Sequence, residues 1–335
     1  MKKCRIGLIG LGFIGGLHAR IIAEANNAEL VAVADLNEAL AKEIAGKYGC
    51  AVYTSYMEMI EKEELDAVDI CVPEDFHVKT AVDVANAGKH ILIEKPLAKT
   101  YEGCLEIKKA VDANNVRMMV AQVCKFDPRY AQLKDAIRRG DLGDLTAMAF
   151  KRRNPVFTAN RLQGKVSFFY YLGIHDIEMM VDYNMPAKPV TVYAQASNIL
   201  NGHMNDLDAA CCVIKFDNGV VADMQINWAY PTNDAVGVWA TAEVTGTKGM
   251  GLVDTRQQGL EIMVGTNTSY PDALYWPEYL GKIQGDLKEE IVHFADATMN
   301  GTEYAVDTES CMIGVAIAEA ALKSIETGEV VTLSL

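Results

Sequence analysis

A short apolar run, 5–9, leads directly into Gly10-Leu11-Gly12-Phe13-Ile14-Gly15, and a helical pattern follows. Few local sequences constrain a fold so tightly. In a G-x-G-x-x-G between strand and helix, the first glycine permits a tight turn. The second lets backbone approach a pyrophosphate, and the third allows close packing of helix on strand. The helix N-terminus then points free N–H groups and the positive end of its dipole at the phosphates. The motif alone is common, but its setting here makes it specific. A second apolar run ends in Val33-Ala34-Asp35, with Asp35 20 residues beyond Gly15. From that place a carboxylate grips the ribose hydroxyls of a dinucleotide. It also repels a 2′-phosphate, and Leu36 and Asn37 bring no arginine to neutralise one. The cofactor expected is NAD rather than NADP.

The rhythm around the motif agrees. Apolar runs at 5–9, 30–34, 67–72, 90–93 and 118–121 alternate with helical patterns at 14–25, 38–48, 76–87 and 101–114. Near-continuous apolar strands between amphipathic helices mean a parallel sheet covered on both faces. This predicts a doubly wound Rossmann domain over 1–122. After it the pattern changes: a helix at 128–139, then longer strands at 145–153, 190–197, 208–216, 220–228, 238–246 and 260–264. Asp217-Asn218-Gly219 and Thr247-Lys248-Gly249 read as tight turns between strands. The prediction for 123–335 is an α+β domain with a mainly antiparallel open sheet, helices at 174–183, 287–299 and 309–326 packing on one face. The chain as a whole is α/β. Its 335 residues exceed what one core usually serves. The uncovered sheet face predicts a homodimer or homotetramer.

Charge and cysteines narrow the partners. A net charge of −14 repels nucleic acid and anionic lipid. The eight cysteines form no C-x-x-C pair and sit in apolar patterns, as in a reducing compartment. With no leader-like segment before the first strand and no run long enough to span a membrane, a cytoplasmic protein is expected. The six histidines show no metal-ligand spacing, so no metal is expected.

A lysine closes the fifth strand, in Ile93-Glu94-Lys95-Pro96. At the carboxyl end of a parallel strand it faces the cofactor cleft, and the proline after it argues for a fixed geometry, with cis open to it. With the glycine motif, Val72-Pro73-Glu74-Asp75-Phe76-His77 and Gly173-Ile174-His175-Asp176-Ile177-Glu178, this segment resembles the glucose–fructose oxidoreductase / inositol dehydrogenase / rhizopine catabolism (Gfo/Idh/MocA) family over nearly the whole chain. The resemblance implies an NAD-dependent oxidoreductase acting on a secondary hydroxyl of a cyclic polyol, sugar or sugar derivative. It implies Lys95 and His175 as the catalytic pair. It implies cofactor contacts from Gly10, Gly12, Phe13, Ile14 and Gly15, from Asp35 and Leu36, and from Pro73, His77, Glu94, Lys95 and Gln122. It implies substrate contacts from Lys125, where the family usually has Arg, and from Asn154. Arg152, Tyr171, His175, Glu178 and Tyr230 complete the expected substrate site.

The chemistry is consistent with those roles. Oxidising an alcohol needs a base for the hydroxyl proton, which imidazole suits, and a cation to stabilise the developing alkoxide. Tyr171 stands where many relatives carry Asp, four residues before the histidine, and Glu178 stands for the segment's final Asp. Either orients His175, Glu178 from the same helix face; the bland reading of Phe168-Phe169-Tyr170-Tyr171 is core filling. His18 reads as structural or phosphate-side. Arg152 alternates in direction with Lys151 and Arg153, and either reads a carboxylate, phosphate or sulfonate on the substrate or makes a surface salt bridge. Arg161, Trp228 and Tyr230 border a cleft or fill a core. Two other functions stay open: a sugar-cleaving lyase or glycosidase that recycles its NAD, and a non-catalytic NAD-binding regulator.

Overall fold

The computed structural model describes residues 2–204, 206–230, 237–256 and 258–335. The chain forms two compact units. The first holds the chain to Phe126 together with Tyr275–Thr308; the second holds Asp127–Leu274 and Glu309–Leu335.

In the first unit six strands, β1 (Cys4–Ile9), β2 (Ala28–Ala34), β3 (Ala51–Tyr53), β4 (Ala67–Ile70), β5 (His90–Glu94) and β6 (Met118–Ala121), pair in parallel in the order β3-β2-β1-β4-β5-β6. Helices α1 (Phe13–Glu24), α2 (Glu38–Tyr48), α3 (Tyr56–Lys62), α4 (His77–Asn86) and α5 (Tyr101–Ala113) connect them. The order reverses at β1, so the loop after β1 lies at the switch point where such sheets bind ligands. Local signals set the helix ends. Asn37 accepts the Leu40 N–H, and Gly49 ends α2 in the left-handed region at φ 71°. β3 and α3 were not expected. A three-residue edge strand carries no readable period, and α3 has only two turns.

One expectation on packing is corrected. The Asp286–Asn300 helix belongs to the first unit, against β1 and α1, and not to the second sheet. There Asn27 Nδ2 donates to the Val292 carbonyl and Arg117 Nη1 to that of Ala297, both at 2.8 Å. An amphipathic pattern shows that a face is buried, not which partner buries it.

The second unit carries α6 (Pro128–Arg138), β7 (Leu145–Pro155), α7 (Val156–Leu162), α8 (Ile174–Asn184), β8 (Pro189–Ser197), β9 (Ala209–Phe216), β10 (Val221–Tyr230), β11 (Trp239–Gly246) and β12 (Met250–Asp254). With a last short strand, Val331–Thr332, they form a sheet ordered β12-β11-β7-β10-β9-β8-Val331–Thr332. All its pairings are antiparallel except β7 with β10. Both predicted turns join neighbouring strands, β9 to β10 and β11 to β12, with Gly219 at φ 94°. The expected strand at 260–264 lies outside the large sheet, as Ile262–Val264 paired with Asn267–Ser269.

Buried and exposed residues alternate along these strands. One face packs on α8 and the Thr308–Thr327 helix, where Ser324 Oγ accepts the Ala194 N–H at 2.9 Å. The opposite face presents Tyr193, Val213 and Leu252 to solvent. All eight cysteines are free thiols. Among the described residues no helix is long and apolar enough to cross a membrane.

Candidate active site

In the first unit the glycine loop shows why each glycine is needed. Gly10 has φ 87°, and a Cβ there would meet the Cys71 carbonyl oxygen at 2.6 Å. A Cβ on Gly15 would strike the Gly10 oxygen at 2.0 Å, whereas one on Gly12 would enter open space. The second glycine therefore lines an unfilled cradle at the N-terminus of α1, which fits a pyrophosphate. Asp35 is pinned beside it. Its Oδ2 accepts the Leu11 N–H and its Oδ1 the Asn37 N–H, each at 2.7 Å. Each oxygen keeps a lone pair for a ribose hydroxyl. Phe13, Leu36 and Pro73 are exposed, and Ile14 is half-buried.

Lys95 follows β5 immediately, half-buried, with a cis peptide bond to Pro96. Glu94 Oε2 accepts the Lys95 backbone N–H at 3.1 Å. Burial works against the Glu94 carboxylate, but His18 and then Lys95 hold its pKa below the ordinary value. His77 is 1% exposed. Its ring nitrogens face the Pro96 carbonyl at 2.7 Å and the Val72 carbonyl at 2.9 Å, tying the loop after β4 to the lysine segment. Gln122 is buried with its Oε1 lacking a hydrogen-bond partner, a carbonyl available to a ligand. Lys125 is buried on the turn Val123–Phe126.

Behind the glycine loop lies a group that sequence reasoning did not assemble. His18, Asp69 and Cys71 place ligand-type atoms within 4.8 Å of one another. Their separations are those of hydrogen bonds: His18 Nδ1 to Asp69 Oδ2 2.8 Å, and Cys71 Sγ to His18 Nδ1 3.4 Å. Glu290, on the Asp286–Asn300 helix, faces the same group. A signal for it existed, because Glu290 falls on the apolar stripe of Leu287, Ile291 and Phe294.

In the second unit the end of β7 carries the candidate substrate residues. Arg152 and Asn154 are buried while Lys151 and Arg153 are half-buried, the alternation expected of a strand. Arg152 already has a carboxylate: its Nε and Nη2 donate to Asp176 at 2.8 and 2.9 Å, and Asp176 is fully buried. The expected surface salt bridge is thus a buried one. Asn154 is 6% exposed and its Oδ1 has no hydrogen-bond partner among the described residues. The Arg153 guanidinium lies 4.4 Å from the centre of the Trp239 ring, and Tyr230 meets that ring edge-on.

Phe168, Phe169 and Tyr170 do fill the core, whereas Tyr171 is half-buried and its hydroxyl accepts from Arg161 Nη2 at 2.8 Å. A π-helical turn, Phe169–Gly173, runs into α8 and carries His175 onto its first turn, half-buried. Glu178 has no exposed surface. Its Oε1 accepts from Ser310 Oγ at 2.5 Å, and its Cβ lies over Gly314 of the Thr308–Thr327 helix.

Comparison with known proteins agrees with both units. The model of the oxidoreductase family's NAD-binding Rossmann fold matches residues 4–122, and that of its C-terminal alpha/beta domain matches 134–333. The chain is 29% identical over 326 residues to inositol 2-dehydrogenase of Rhizobium meliloti, covering 96% of each chain. It is 27% identical over 340 residues to scyllo-inositol 2-dehydrogenase (NAD(+)) of Bacillus subtilis, covering 99% of this chain and 97% of the other. Among solved structures, a putative myo-inositol dehydrogenase from Sinorhizobium meliloti aligns with a TM-score of 0.83 at 27% identity, over 99% of this chain and 100% of that one. The scyllo-inositol dehydrogenase of Lactobacillus casei with bound NAD(H) and scyllo-inositol shares the fold, with a TM-score of 0.87 at 21% identity over 99% of each chain.

Proposed function

Because this chain belongs to the Gfo/Idh/MocA oxidoreductase family, with its NAD-binding Rossmann domain, we propose that it is a dehydrogenase that oxidises a secondary hydroxyl of a cyclic polyol, an inositol or a close relative, with NAD. The observation that carries the reading is the placing of Lys95. It stands at the carboxyl end of β5, in the same unit as the open cradle at Gly12 and the pinned carboxylate of Asp35. The relatives named inositol dehydrogenases point to the substrate class.

NAD supplies the hydride acceptor. The chain's own residues do the rest. Asp35 receives the adenosine ribose hydroxyls and favours NAD over NADP. The Lys95 ammonium stabilises negative charge growing on the substrate oxygen as its proton leaves. The His175 imidazole takes that proton, with Tyr171 beside it on the preceding turn. Asn154 Oδ1, buried and unpartnered, accepts from a second hydroxyl and fixes which carbon reacts. Copies of the chain associate through the open sheet face, where Tyr193, Val213 and Leu252 are exposed.

The test is a panel of inositols, aldoses and sugar acids with NAD, followed by NADH absorbance. Steady NADH formation with an inositol is the expected result. Protein that binds NAD yet forms no NADH with any polyol overturns the proposal. Cleavage of a glycoside without net NADH points instead to cofactor-recycling chemistry.

A further inference from the structure

Ionisable side chains from four elements of the first unit meet in one buried place beneath the glycine loop. They are His18 of α1, Asp69 of β4, Glu94 at the end of β5 and Glu290 of the Asp286–Asn300 helix, with the thiol of Cys71 beside them. His18 is wholly buried, and both its ring nitrogens look at carboxylates. Nδ1 is 2.8 Å from Asp69 Oδ2 and Nε2 is 3.4 Å from Glu94 Oε1. Nδ1 makes a hydrogen bond, whereas Nε2 meets Glu94 as an ion-pair neighbour with no hydrogen bond among the described residues, and attraction on that side needs a doubly protonated ring.

Burial opposes that charge, but the Asp69 carboxylate hydrogen-bonded to the ring holds the His18 pKa above the ordinary value. The other neighbours do not compete for the ring. Burial pushes the Cys71 thiol up, so it stays protonated. Glu290 has no hydrogen-bond partner for either oxygen among the described residues. Burial, then Glu94, Asp69 and Asp286, push it far above the usual carboxylate range, making it a neutral acid.

The bridge ends on the lysine segment. Glu94 shows Oε1 to His18, while its Oε2 accepts the Lys95 backbone N–H. We propose that His18 is a positioning residue for Lys95, acting through Glu94. The imidazolium fixes the Glu94 carboxylate between β4 and β5, and the carboxylate fixes the peptide that carries the ammonium. Losing the ring frees Glu94 to turn and leaves the Lys95 N–H without a settled acceptor.

The inference rests on the catalytic reading of Lys95, but its test needs neither cofactor nor turnover. If Lys95→Ala kept full turnover, that reading would fail while the measurements below still stood. In the apo protein, ring-nitrogen NMR reads the protonation of His18 and amide hydrogen exchange reads the Lys95 N–H. Wild-type His18 is expected to carry both ring protons at pH 8, and in Glu94→Gln the ring loses one at lower pH. In His18→Asn the Lys95 amide is expected to exchange about tenfold faster or more, while amides of Ile6 in β1 and Val120 in β6 keep their rates. A merely structural histidine would move all three together. If His18→Asn does not fold, Glu94→Gln carries the same two readouts. A ring that is singly protonated at pH 8 in the wild type, or a Lys95 amide unchanged in a folded variant, overturns the proposal.

Discussion

Removing Asp176 takes from Arg152 a buried carboxylate partner, and the structure sets how much that should cost. Arg152 is 5% exposed, Asp176 has no exposed surface, and two charge-assisted bonds of 2.8 and 2.9 Å join them. Breaking such a buried pair from one side costs about 3–5 kcal/mol. For a folding unit of this size each kcal/mol moves the melting temperature by about 2–4 °C. Asp176→Ala should therefore melt roughly 6–20 °C below the wild type, with a matching shift in the urea midpoint followed by circular dichroism. The double variant Arg152→Met/Asp176→Leu removes both charges and should return to within about 1–2 kcal/mol of the wild type. A loss under about 1 kcal/mol in Asp176→Ala would refute the reasoning, because the pair would then be neither dry nor essential. The double variant also separates the two roles of Arg152. If it is stable and still turns over substrate, Arg152 holds α8 against β7 and does not read the substrate.

Cofactor choice follows from Asp35: NAD should bind at least about tenfold more tightly than NADP, about 1.4 kcal/mol, and equal affinities in a binding titration would contradict the assignment. Lys95→Ala should lower turnover about a hundredfold or more; a folded variant with a normal rate would reduce Lys95 to scaffold. His175→Ala should cost a similar factor and abolish the rise of oxidation rate with pH through the histidine range. Tyr171→Phe should shift that pH profile, whereas Glu178→Gln, which alters the Ser310 contact, should change melting and leave the profile in place. Glu290 is held protonated in the fold by burial and neighbouring carboxylates, so the folded state binds its proton more tightly than the unfolded chain. Its contribution is complete below the unfolded glutamate pKa of about 4.3 and is lost as pH rises through the raised folded value. Glu290→Gln should therefore gain stability relative to wild type as pH rises above the unfolded glutamate value, and melting curves with the same pH slope in both proteins would dismiss the neutral acid.

What could be read from sequence was what is local. Gly10 and Gly219 announce turns because only glycine sits comfortably there, Gly15 announces a close approach of helix to loop, and the capping residue Asn37 announces a helix. Asp35 was recognisable because its distance from the glycine loop is set by one helix and one strand. Lys95 stood out because a charge at the end of a buried strand needs a reason. Partnership across the fold was not legible. Arg152 was visible as an inward-pointing cation, but its choice of Asp176 depends on α8 lying over β7. Glu178 was paired with His175 by helical spacing, whereas its hydrogen-bond donor, Ser310, comes from a helix more than a hundred residues later. Glu290 showed only as a misplaced acid on an apolar stripe, because its neighbours are drawn from three separate parts of the chain.

The first unit is interrupted in sequence, since Tyr275–Thr308 returns to it after the chain has built most of the second. A ribosome releases residues in order, so the sheet with the glycine loop emerges early and then waits. Until the Asp286–Asn300 helix arrives, β1 and α1 lack one of their covers and His18 has no Glu290 beside it. The half-finished domain exposes apolar surface during that interval, the condition under which nascent chains associate wrongly or recruit chaperones. A fragment ending at Phe126 reproduces this unfinished state permanently, so it should be less soluble and bind cofactor less well than a version carrying 275–308 in trans or by fusion. Nucleotide binding in this protein is thus a property of nearly the whole polypeptide, although its signature is written in the first fifteen residues.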